Sequence, residues 1–374
     1  MRRLLNTLYV TSQGSYLRKE GETVVVEVER EIRLRLPLLT LGGVVCFGNV
    51  LCSPYLLGAC AEAGIAVSFL TEYGRHLADV VGAPSGNVLL RRTQYRIADD
   101  LAASAALARS FIAGKLANTR HHLRRAARDA DVIEAPAIEQ AADAVMHRLR
   151  GLAEPGLCLD SLRGLEGEAA SRYFAVFWSL VTPAQREAFP FGDRNRRPPL
   201  DRLNALLSYF YTLLRFDAAA ALTTHGLDPA VGFLHRDRPG RDSLALDLIE
   251  EFRVPIADRL ALALINRQQV QAGHFHTNET GAVLLTDVGR KEVLSAWQKR
   301  KQEEIDHPFL GEKVPIGLLL HAQALLLARH LRGDLDAYPP FEWRRIIQIA
   351  LVPSHRPYFL YDDPCELRRR YIHA

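Results

Sequence analysis

The sequence predicts an α+β fold, in which a small β-rich N-terminal domain precedes a larger, mostly α-helical domain. Two observations support this prediction. The first 90 residues contain short runs of β-branched and aromatic residues punctuated by glycine and proline, as strands and their turns do. Beyond a turn-rich segment at 82–87, alanine and leucine recur with helical spacing along most of the chain. We therefore divide the chain into a β-rich domain at 1–88, a helical domain at 89–340 and a C-terminal tail at 341–374.

The predicted strands of the N-terminal domain fall into two groups. Four short runs rich in β-branched or aromatic residues lie at 8–10, 16–17, 23–28 and 32–36, and the segment 27–32 mixes charged and apolar side chains as a half-exposed sheet does. A strand–helix–strand unit follows, and its elements lie at 44–47, 53–63 and 66–70. In its helix, Ser53 suits the N-cap, Pro54 the first helical position and Gly64 the C-terminal end. Because its second strand carries no charge, we expect this unit to pack against the earlier strands.

Eight segments of the larger domain have the apolar spacing of helices. They lie at 95–117, 126–152, 161–180, 200–221, 244–251, 256–272, 291–302 and 314–332. A series of this kind is typical of a helical domain with one shared core. The sequence contains no internal repeat or low-complexity tract that would favour another architecture.

Composition and hydropathy exclude several classes of protein. The chain has 374 residues, 48% of them apolar and 24% charged, which is ordinary for a globular protein and excludes collagen-like and disordered chains. Polar residues interrupt the apolar segments at 41–70 and 316–328, so neither supplies the roughly 20 apolar residues of a membrane-spanning helix. No leader-like apolar run follows the basic N-terminus. We therefore expect a cytoplasmic protein with no membrane partner.

The distribution of charge favours a phosphate-rich partner for the helical domain. The formal net charge is +4, and residues 1–90 hold 8 basic and 8 acidic residues, so the whole excess lies in the rest of the chain. Most of the 47 basic residues are arginine, whose planar guanidinium fits phosphate oxygens. The sequence lacks the P-loop, dinucleotide-binding, nucleophile-elbow and H-E-x-x-H motifs, which excludes the commonest nucleotide-binding, hydrolase and zinc-protease classes.

Glu166 is the first candidate for a functional residue. It lies between Leu162 and Ala170, four residues from each, on the apolar face of a predicted helix. A carboxylate that points inward needs a cation or a metal ion as its partner. A buried ion pair with an arginine, such as Arg163 or Arg253, is the alternative to a metal site.

His235 and a carboxylate pair supply further candidates. His235 follows two large apolar residues and precedes an arginine-rich turn, although an ordinary histidine at the end of an element fits the same pattern. Asp247 and Glu250 are three residues apart on a predicted helix and so share a face, as an exposed acidic patch paired with Arg253 also would. Together with Glu166, these residues form an oxygen-rich set with one imidazole, which suits Mg²⁺ or Mn²⁺ better than a structural zinc ion.

Seven arginines lie near these candidates in the sequence or in the adjoining segments. They are Arg163, Arg194, Arg196, Arg197, Arg236, Arg238 and Arg241. A divalent ion can stabilise the charge that develops on a phosphoryl oxygen, and arginines can hold a nucleic-acid backbone. The combination therefore favours phosphodiester chemistry. A second basic run at 120–128 is equally typical of a solvated helix face.

Six segments carry a recognisable family pattern. They are L-Y-V-T-S-Q-G-S-Y-L at 8–17, G-L-E-G-E-A-A-S-R-Y-F at 164–174, P-P-L-D-R-L-N-A-L-L-S-Y-F-Y at 198–211, V-G-F-L-H at 231–235, S-L-A-L-D-L-I-E-E-F-R at 243–253 and D-A-Y-P-P-F-E-W-R at 336–344. In these segments the chain resembles the CRISPR-associated endonucleases that act as integrases in spacer acquisition, the Cas1 family. The last segment resembles the I-C-like branch. The segments occur in family order over nearly the full chain.

This resemblance implies an N-terminal β-domain, a helical domain that holds a metal ion, and a homodimer. The sequence leaves the dimer surface open, although the neutral charge of residues 1–90 favours the β-domain. The implied metal ligands, which are also the catalytic residues, are Glu166, His235 and Glu250. The family often has aspartate where this chain has Glu250, and the longer side chain leaves open whether it binds the ion directly or through water. Asp247 would then support the ligands or replace one of them.

The resemblance also implies a reaction and partners. The 3′-hydroxyl of a short double-stranded DNA fragment would attack a phosphodiester at the edge of a CRISPR repeat, and the seven arginines would bind DNA. A small Cas2 protein would sit between two dimers of this chain. Two alternatives stay open: a non-catalytic nucleic-acid-binding scaffold of the same fold, and an unrelated metal phosphohydrolase of small phosphoesters. The sequence indicates no role for Arg368, Arg369 and Arg370.

Overall fold

The computed structural model describes residues 6–72, 76–80, 88–195 and 198–343. The order of its elements confirms the predicted α+β class, because strands dominate the first 80 residues and helices dominate the rest. The predicted domain boundary at residue 88 adjoins the segment 81–87, which lies outside the described residues. Of the predicted tail, residues 344–374 also lie outside them, and with them the three arginines at 368–370.

Among the described residues, eight strands, one α-helix and a short 3-10 turn (Leu38–Thr40) form the N-terminal region. The elements are β1 (Asn6–Val10), β2 (Ser15–Glu20), β3 (Thr23–Val28), β4 (Glu31–Pro37), β5 (Leu41–Phe47), β6 (Val50–Cys52), α1 (Pro54–Ala63), β7 (Ala66–Leu70) and β8 (His76–Val80). One sheet has the strand order β4-β3-β2-β6 and the other β1-β5-β7-β8. In the second sheet β1, β5 and β7 run parallel, and β8 pairs with β7 in the antiparallel sense.

The bounds of α1 follow from its caps. Ser53 Oγ accepts a hydrogen bond from Leu56 N at 3.2 Å, and Pro54 occupies the first turn, where its missing N–H costs nothing. Gly64 ends the helix with a φ of 67°, a left-handed conformation that glycine adopts without strain. The predicted strand–helix–strand unit is therefore confirmed. Apolar residues of α1, such as Leu56, share one core with both sheets.

Eleven α- and π-helical segments, three short 3-10 turns and two short hairpins form the regular structure in the described part of the second region. The helices are α2 (Val88–Asp99), α3 (Leu101–Asp129), α4 (Ala135–Gly151), α5 (Leu159–Ala175), α6 (Pro183–Arg186), α7 (Arg202–Thr224), α8 (Ser243–Ile249), a π-helical turn (Arg253–Asp258), α9 (Arg259–Asn266), α10 (Asp287–Gln302) and α11 (Leu319–Arg332). The hairpins pair β9 (Phe275–Thr277) with β10 (Val283–Leu285), and β11 (Glu304–Asp306) with β12 (Lys313–Pro315).

The long helix α3 passes through the centre of this region. It has 29 residues and contacts α4, α5, α8 and the π-helical turn. Every residue from Phe111 to Thr119 is buried, so no face of this part of the helix meets solvent. Polar side chains in such a segment must find their partners inside the protein. Lys115 and Asn118 are in this position, and both bind the elements that carry the candidate site.

The predicted helices differ from the observed helices mainly at their ends. The predicted segment 95–117 spans two helices, because Asp100 Oδ1 accepts hydrogen bonds from Ala102 N at 2.9 Å and Ala103 N at 3.1 Å and so begins a new helix. The strands β6 and β8 to β12 were not predicted. They have only three to five residues each, which is too few to show an alternating pattern.

Direct contacts join the β-rich and helical regions. Gln298 of α10 donates its Nε2 to Thr7 O of β1 at 2.9 Å. Phe47, at the end of β5, stacks on Tyr209 of α7 with the ring centroids 6.4 Å apart. Among the residues that the structure describes, no helix has the length and apolar character needed to cross a bilayer.

Candidate active site

A cavity of about 370 Å³ lies between α5, α8 and the loop that precedes α8. Its walls contain Glu166 of α5, His235 of the loop and Glu250, which caps the C-terminal end of α8. The lining residues are Arg163, Glu166, Leu234, His235, Arg236, Arg238, Arg241 and Glu250. Three side chains that are far apart in the sequence thus share one arginine-lined cavity.

The helix α5 presents Glu166 to the cavity. Leu162, one turn earlier, is fully buried and fixes this face of the helix against the core, while the Glu166 side chain keeps 25% of its surface exposed. The Glu166 carboxylate forms an ion pair with Lys115 of α3, and not with the arginines that the sequence suggested. Arg163 instead donates Nε and Nη2 to Leu234 O, at 2.9 and 2.6 Å, and so ties α5 to the loop.

Asp247 organises the loop from behind the cavity. Its carboxylate is fully buried and accepts hydrogen bonds from the backbone N–H groups of Phe233, Leu234 and His235, at 2.6, 2.9 and 2.9 Å. The loop approaches so closely that a Cβ at Gly232 would lie 2.8 Å from Asp247 Oδ2. Only glycine fits there. Asp247 therefore fixes the backbone of the loop and does not line the cavity itself.

The same carboxylate fixes the ring of His235. Asp247 Oδ1 lies 2.6 Å from His235 Nδ1. An ionised carboxylate only accepts hydrogen bonds, so Nδ1 carries the proton and the lone pair of the neutral ring is on Nε2. Nε2 lies 3.9 Å from Glu250 Oε1. The ring thus turns its basic nitrogen toward the candidate metal ligands, which is the usual arrangement of a histidine that binds a metal.

Glu250 is a buried carboxylate surrounded by positive charge. Only 3% of its side chain is exposed, and Arg253 Nη2 lies 2.9 Å from Oε1 while Lys115 Nζ lies 2.7 Å from Oε2. Burial opposes ionisation, but the charges of Arg253 and then Lys115 outweigh it and lower the pKa of Glu250 to about 2. Glu250 is therefore ionised at neutral pH.

Two cations of the site were not predicted as site residues. Lys115 contacts both Glu166 and Glu250, and Arg253 was considered only as an ion-pair partner. The guanidinium of Arg253 stacks on the ring of Tyr211, 4.9 Å from its centroid, which holds it beside Glu250. The sequence does contain a feature that indicates a role for Lys115. It interrupts the apolar run F-I-A-G-K-L-A of α3, and a lysine buried in such a run needs a negatively charged partner.

The predicted DNA-binding arginines divide into three sets. Arg163 and the loop arginines 236, 238 and 241 line the cavity. Arg194 does not line it: its Nη1 donates to Asn204 Oδ1 at 2.6 Å, and its guanidinium lies 5.3 Å from the ring centroid of Tyr211. Arg196 and Arg197 lie outside the described residues.

The donor atoms of the cavity fit a hard divalent cation in kind. Two carboxylates and an imidazole nitrogen are ligands that Mg²⁺ and Mn²⁺ accept. Glu250 Oε2 is buried, and the Lys115 ammonium lies 2.7 Å from it, so positive charge already neutralises this oxygen. Among the described ranges, no group of three or more histidine, cysteine or acidic side chains is already spaced to hold a metal ion. Lys115 supplies the positive charge between the carboxylates.

Comparison with known proteins gives close relatives over nearly the full chain. The family model "CRISPR associated protein Cas1" matches residues 8–299. The chain is 54% identical to "CRISPR-associated endonuclease Cas1 1" of Chlorobaculum tepidum, with 92% of this chain and 100% of the relative covered. It is 53% identical to "CRISPR-associated endonuclease Cas1 2" of Rhodospirillum rubrum, with the same two shares covered.

Solved structures share the fold at lower sequence identity. A Cas1 protein from Thermotoga maritima has a TM-score of 0.76 and 24% identity over 88% of this chain and 97% of its own. A casposase bound to integration product has a TM-score of 0.75 and 19% identity, with 99% of both chains covered. One chain of a Cas6-RT-Cas1–Cas2 complex has a TM-score of 0.73 and 22% identity over 90% of this chain and 36% of its own. On the family match and the two close relatives, this chain belongs to the Cas1 family of CRISPR-associated proteins.

Proposed function

We propose that this chain is a metal-dependent DNA endonuclease and integrase of CRISPR adaptation. It would join the 3′-hydroxyl ends of short DNA fragments into the CRISPR repeat by transesterification, with Mg²⁺ or Mn²⁺ held by Glu166, His235 and Glu250. The observation that carries the proposal is the meeting of these three side chains in one arginine-lined cavity. The names of the relatives as endonucleases support the nuclease activity, and the casposase with its integration product shares the fold.

Each protein group has a distinct task in the proposed reaction. Asp247 keeps the proton of His235 on Nδ1, so that the lone pair of Nε2 stays available to bind the ion. Glu250 enters the reaction already ionised because of Arg253 and Lys115. When bound, the ion would stabilise the charge that develops on the non-bridging oxygens of the phosphodiester.

The arginine side of the cavity would hold and align the DNA backbone. Arg236 and Arg238 are exposed on the loop beside His235, where their guanidinium groups can bind phosphate oxygens in a bidentate manner. Arg163 donates two hydrogen bonds to Leu234 O and so fixes the position of that loop relative to Glu166. Phosphate contacts of this kind position a duplex and do not read its sequence.

The proposed partners follow from the family. They are double-stranded DNA, a second copy of this chain and a Cas2 protein, and one fold relative forms part of an assembly with Cas2. The I-C-like branch is also a proposal, and it rests on the resemblance of the segment at 336–344.

Replacement of Glu166 by glutamine tests the catalytic role against that of a DNA-binding scaffold. We expect strand transfer to fall by at least about a hundredfold, because the ion loses a charged ligand and several kcal/mol of transition-state stabilisation with it. DNA binding measured without metal should change little. Glu168→Gln is the matched control, since Glu168 lies on the same helix but pairs with Arg148 at the surface. Equal strand transfer by both variants would contradict the proposal.

Salt dependence separates this function from the hydrolysis of small phosphoesters. A protein that holds several phosphates should lose roughly a thousandfold or more in DNA affinity between about 50 and 200 mM salt. The turnover of a small phosphoester should respond little over the same range. A DNA affinity that is insensitive to salt would favour the small-ester enzyme.

A further inference from the structure

Lys115 is a charged residue in a buried segment, and burial of a charge costs free energy unless the charge has a partner. It is buried within the fully enclosed segment of α3, with 11% of its side chain exposed. Its Nζ contacts the carboxylate of Glu166 and lies 2.7 Å from Glu250 Oε2. Glu166 belongs to α5, and Glu250 caps the C-terminal end of α8. One ammonium group therefore bridges two of the three candidate metal ligands.

The two cations beside these acids are not equivalent. Arg253 lies three residues from Glu250, contacts its Oε1 at 2.9 Å and is held by stacking on Tyr211. Among the ion pairs of the described residues, Lys115 alone joins Glu166 to Glu250. Its ammonium group therefore supplies the positive charge that lies between the two carboxylates. Without it, two carboxylates would share a cavity with one fixed guanidinium.

The backbone that carries Lys115 is closely packed beside the site. A Cβ at the preceding residue, Gly114, would lie 3.0 Å from Glu251 Cγ and 3.1 Å from Pro340 Cβ, so α3 is in close contact there. One turn further, Asn118 Nδ2 donates to Glu251 O at 2.8 Å. The helix is thus fastened beside Glu250, and the flexible lysine side chain is the part that can change position.

We propose that Lys115 is a built-in counter-ion of the metal site. Its ammonium group occupies the space between Glu166 and Glu250 and competes with the divalent ion for these two carboxylates. This competition sets the affinity of the site for the metal ion. The inference rests on the proposed function, because it takes the same two carboxylates as metal ligands. A divalent ion binds carboxylate oxygens at about 2.0–2.6 Å, so an ion that uses both acids and an ammonium that bridges them compete for the same oxygens. Like charges at such short range also repel each other.

A purely structural lysine and a competing counter-ion predict opposite effects on metal binding. If Lys115 only supports the fold, its loss destabilises the site and metal binding weakens or stays unchanged. If it competes with the ion, its loss destabilises the metal-free protein but strengthens metal binding. The lysine is therefore a positioning residue, which acts through Glu166 and Glu250 on the ion.

The test is calorimetric titration of Mn²⁺ into the full-length protein, together with the unfolding temperature measured with EDTA and with Mn²⁺. For Lys115→Met we expect at least about a tenfold increase in Mn²⁺ affinity, since the loss of one like charge near the ion is worth 1.4 kcal/mol or more. The unfolding temperature should fall in EDTA and rise further on Mn²⁺ addition than in the unsubstituted protein. Lys115→Gln, which can still donate hydrogen bonds to the acids, should show the same gain if the methionine variant folds poorly.

Two controls separate charge from packing. Lys115→Arg keeps the positive charge and should bind Mn²⁺ with nearly the affinity of the unsubstituted protein. Leu116→Ala removes a buried apolar side chain of the same helix and should lower the unfolding temperature without a gain in Mn²⁺ affinity.

The possible failures are distinguishable. If Glu166→Gln abolishes Mn²⁺ binding but both uncharged Lys115 variants bind Mn²⁺ no more tightly than the unsubstituted protein, the inference about Lys115 is wrong and the proposed metal site stands. If Mn²⁺ binding to the unsubstituted protein is absent or insensitive to Glu166→Gln, the proposed metal site is wrong and the inference falls with it.

Discussion

Replacement of Asp247 by asparagine, a side chain of nearly the same shape, should lower the free energy of unfolding and weaken metal binding. The Asp247 carboxylate accepts four hydrogen bonds, from three backbone amides and from His235 Nδ1. Asparagine keeps one acceptor oxygen and replaces the other with an NH₂ group, which is a donor. Whichever way the amide turns, two of the four donors lose their acceptor.

The expected magnitude follows from these contacts. A buried donor that loses its partner costs about 1–3 kcal/mol, so two such donors reduce the free energy of unfolding by about 2–6 kcal/mol. The imidazole can accept a hydrogen bond from the new NH₂ group only if its proton moves to Nε2, and Nε2 can then no longer bind an ion. Loss of such a supporting hydrogen bond typically weakens metal binding by about 10–100-fold.

Urea unfolding and Mn²⁺ titration check both parts of this prediction. Asp237→Asn is the matched control, because Asp237 is exposed in the same loop and the substitution removes the same charge. We expect Asp237→Asn to be nearly neutral in both measurements. If Asp247→Asn retained the stability and the Mn²⁺ affinity of the unsubstituted protein, the assignment of Asp247 as the support of His235 would be refuted.

Three further substitutions test other parts of the account. Gly232→Ala should lower the free energy of unfolding by about 1–3 kcal/mol or more in urea unfolding, because the added Cβ would clash with Asp247 Oδ2. Gly164→Ala is the control: a Cβ at this position of α5 meets open space, so the substitution should be neutral or stabilising. Burial raises the pKa of Glu251 to about 8, so the folded state holds a proton that the unfolded state releases near pH 4.5. The free energy of unfolding should therefore fall as the pH rises from about 5 to 8, and Glu251→Gln should flatten this dependence. Arg238→Ala should weaken DNA binding and reduce the slope of log Kd against log salt by about one in a salt titration.

Local signals predicted much of the fold. The caps Ser53 and Gly64 gave the ends of α1 almost to the residue, because a cap acts through hydrogen bonds between neighbours in the chain. The break at Asp100 was missed, since the apolar spacing continues through it and only the side-chain cap divides the helices. The short strands β9 to β12 depend on pairing partners rather than on their own pattern.

The candidate site could be predicted in part for a similar reason. Glu166, His235 and Glu250 stood out because each is a polar residue in an apolar context, and the family pattern linked them. The role of Lys115 could not be predicted, because its partners are 51 and 135 positions away along the chain and only the packing of α3 against α5 and α8 brings them together. Arg194 does not line the cavity, because its side chain binds Asn204, and its predicted contact with DNA stays a prediction.

The central claim is that Glu166, His235 and Glu250 bind one divalent cation in the arginine-lined cavity. Anomalous diffraction at the manganese absorption edge, from crystals of the full-length protein soaked in Mn²⁺, tests it most directly. We predict one strong anomalous peak in contact with both carboxylates and with His235 Nε2. A soaked crystal without a peak in this cavity, or with its strong peak bound by other residues, would contradict the account.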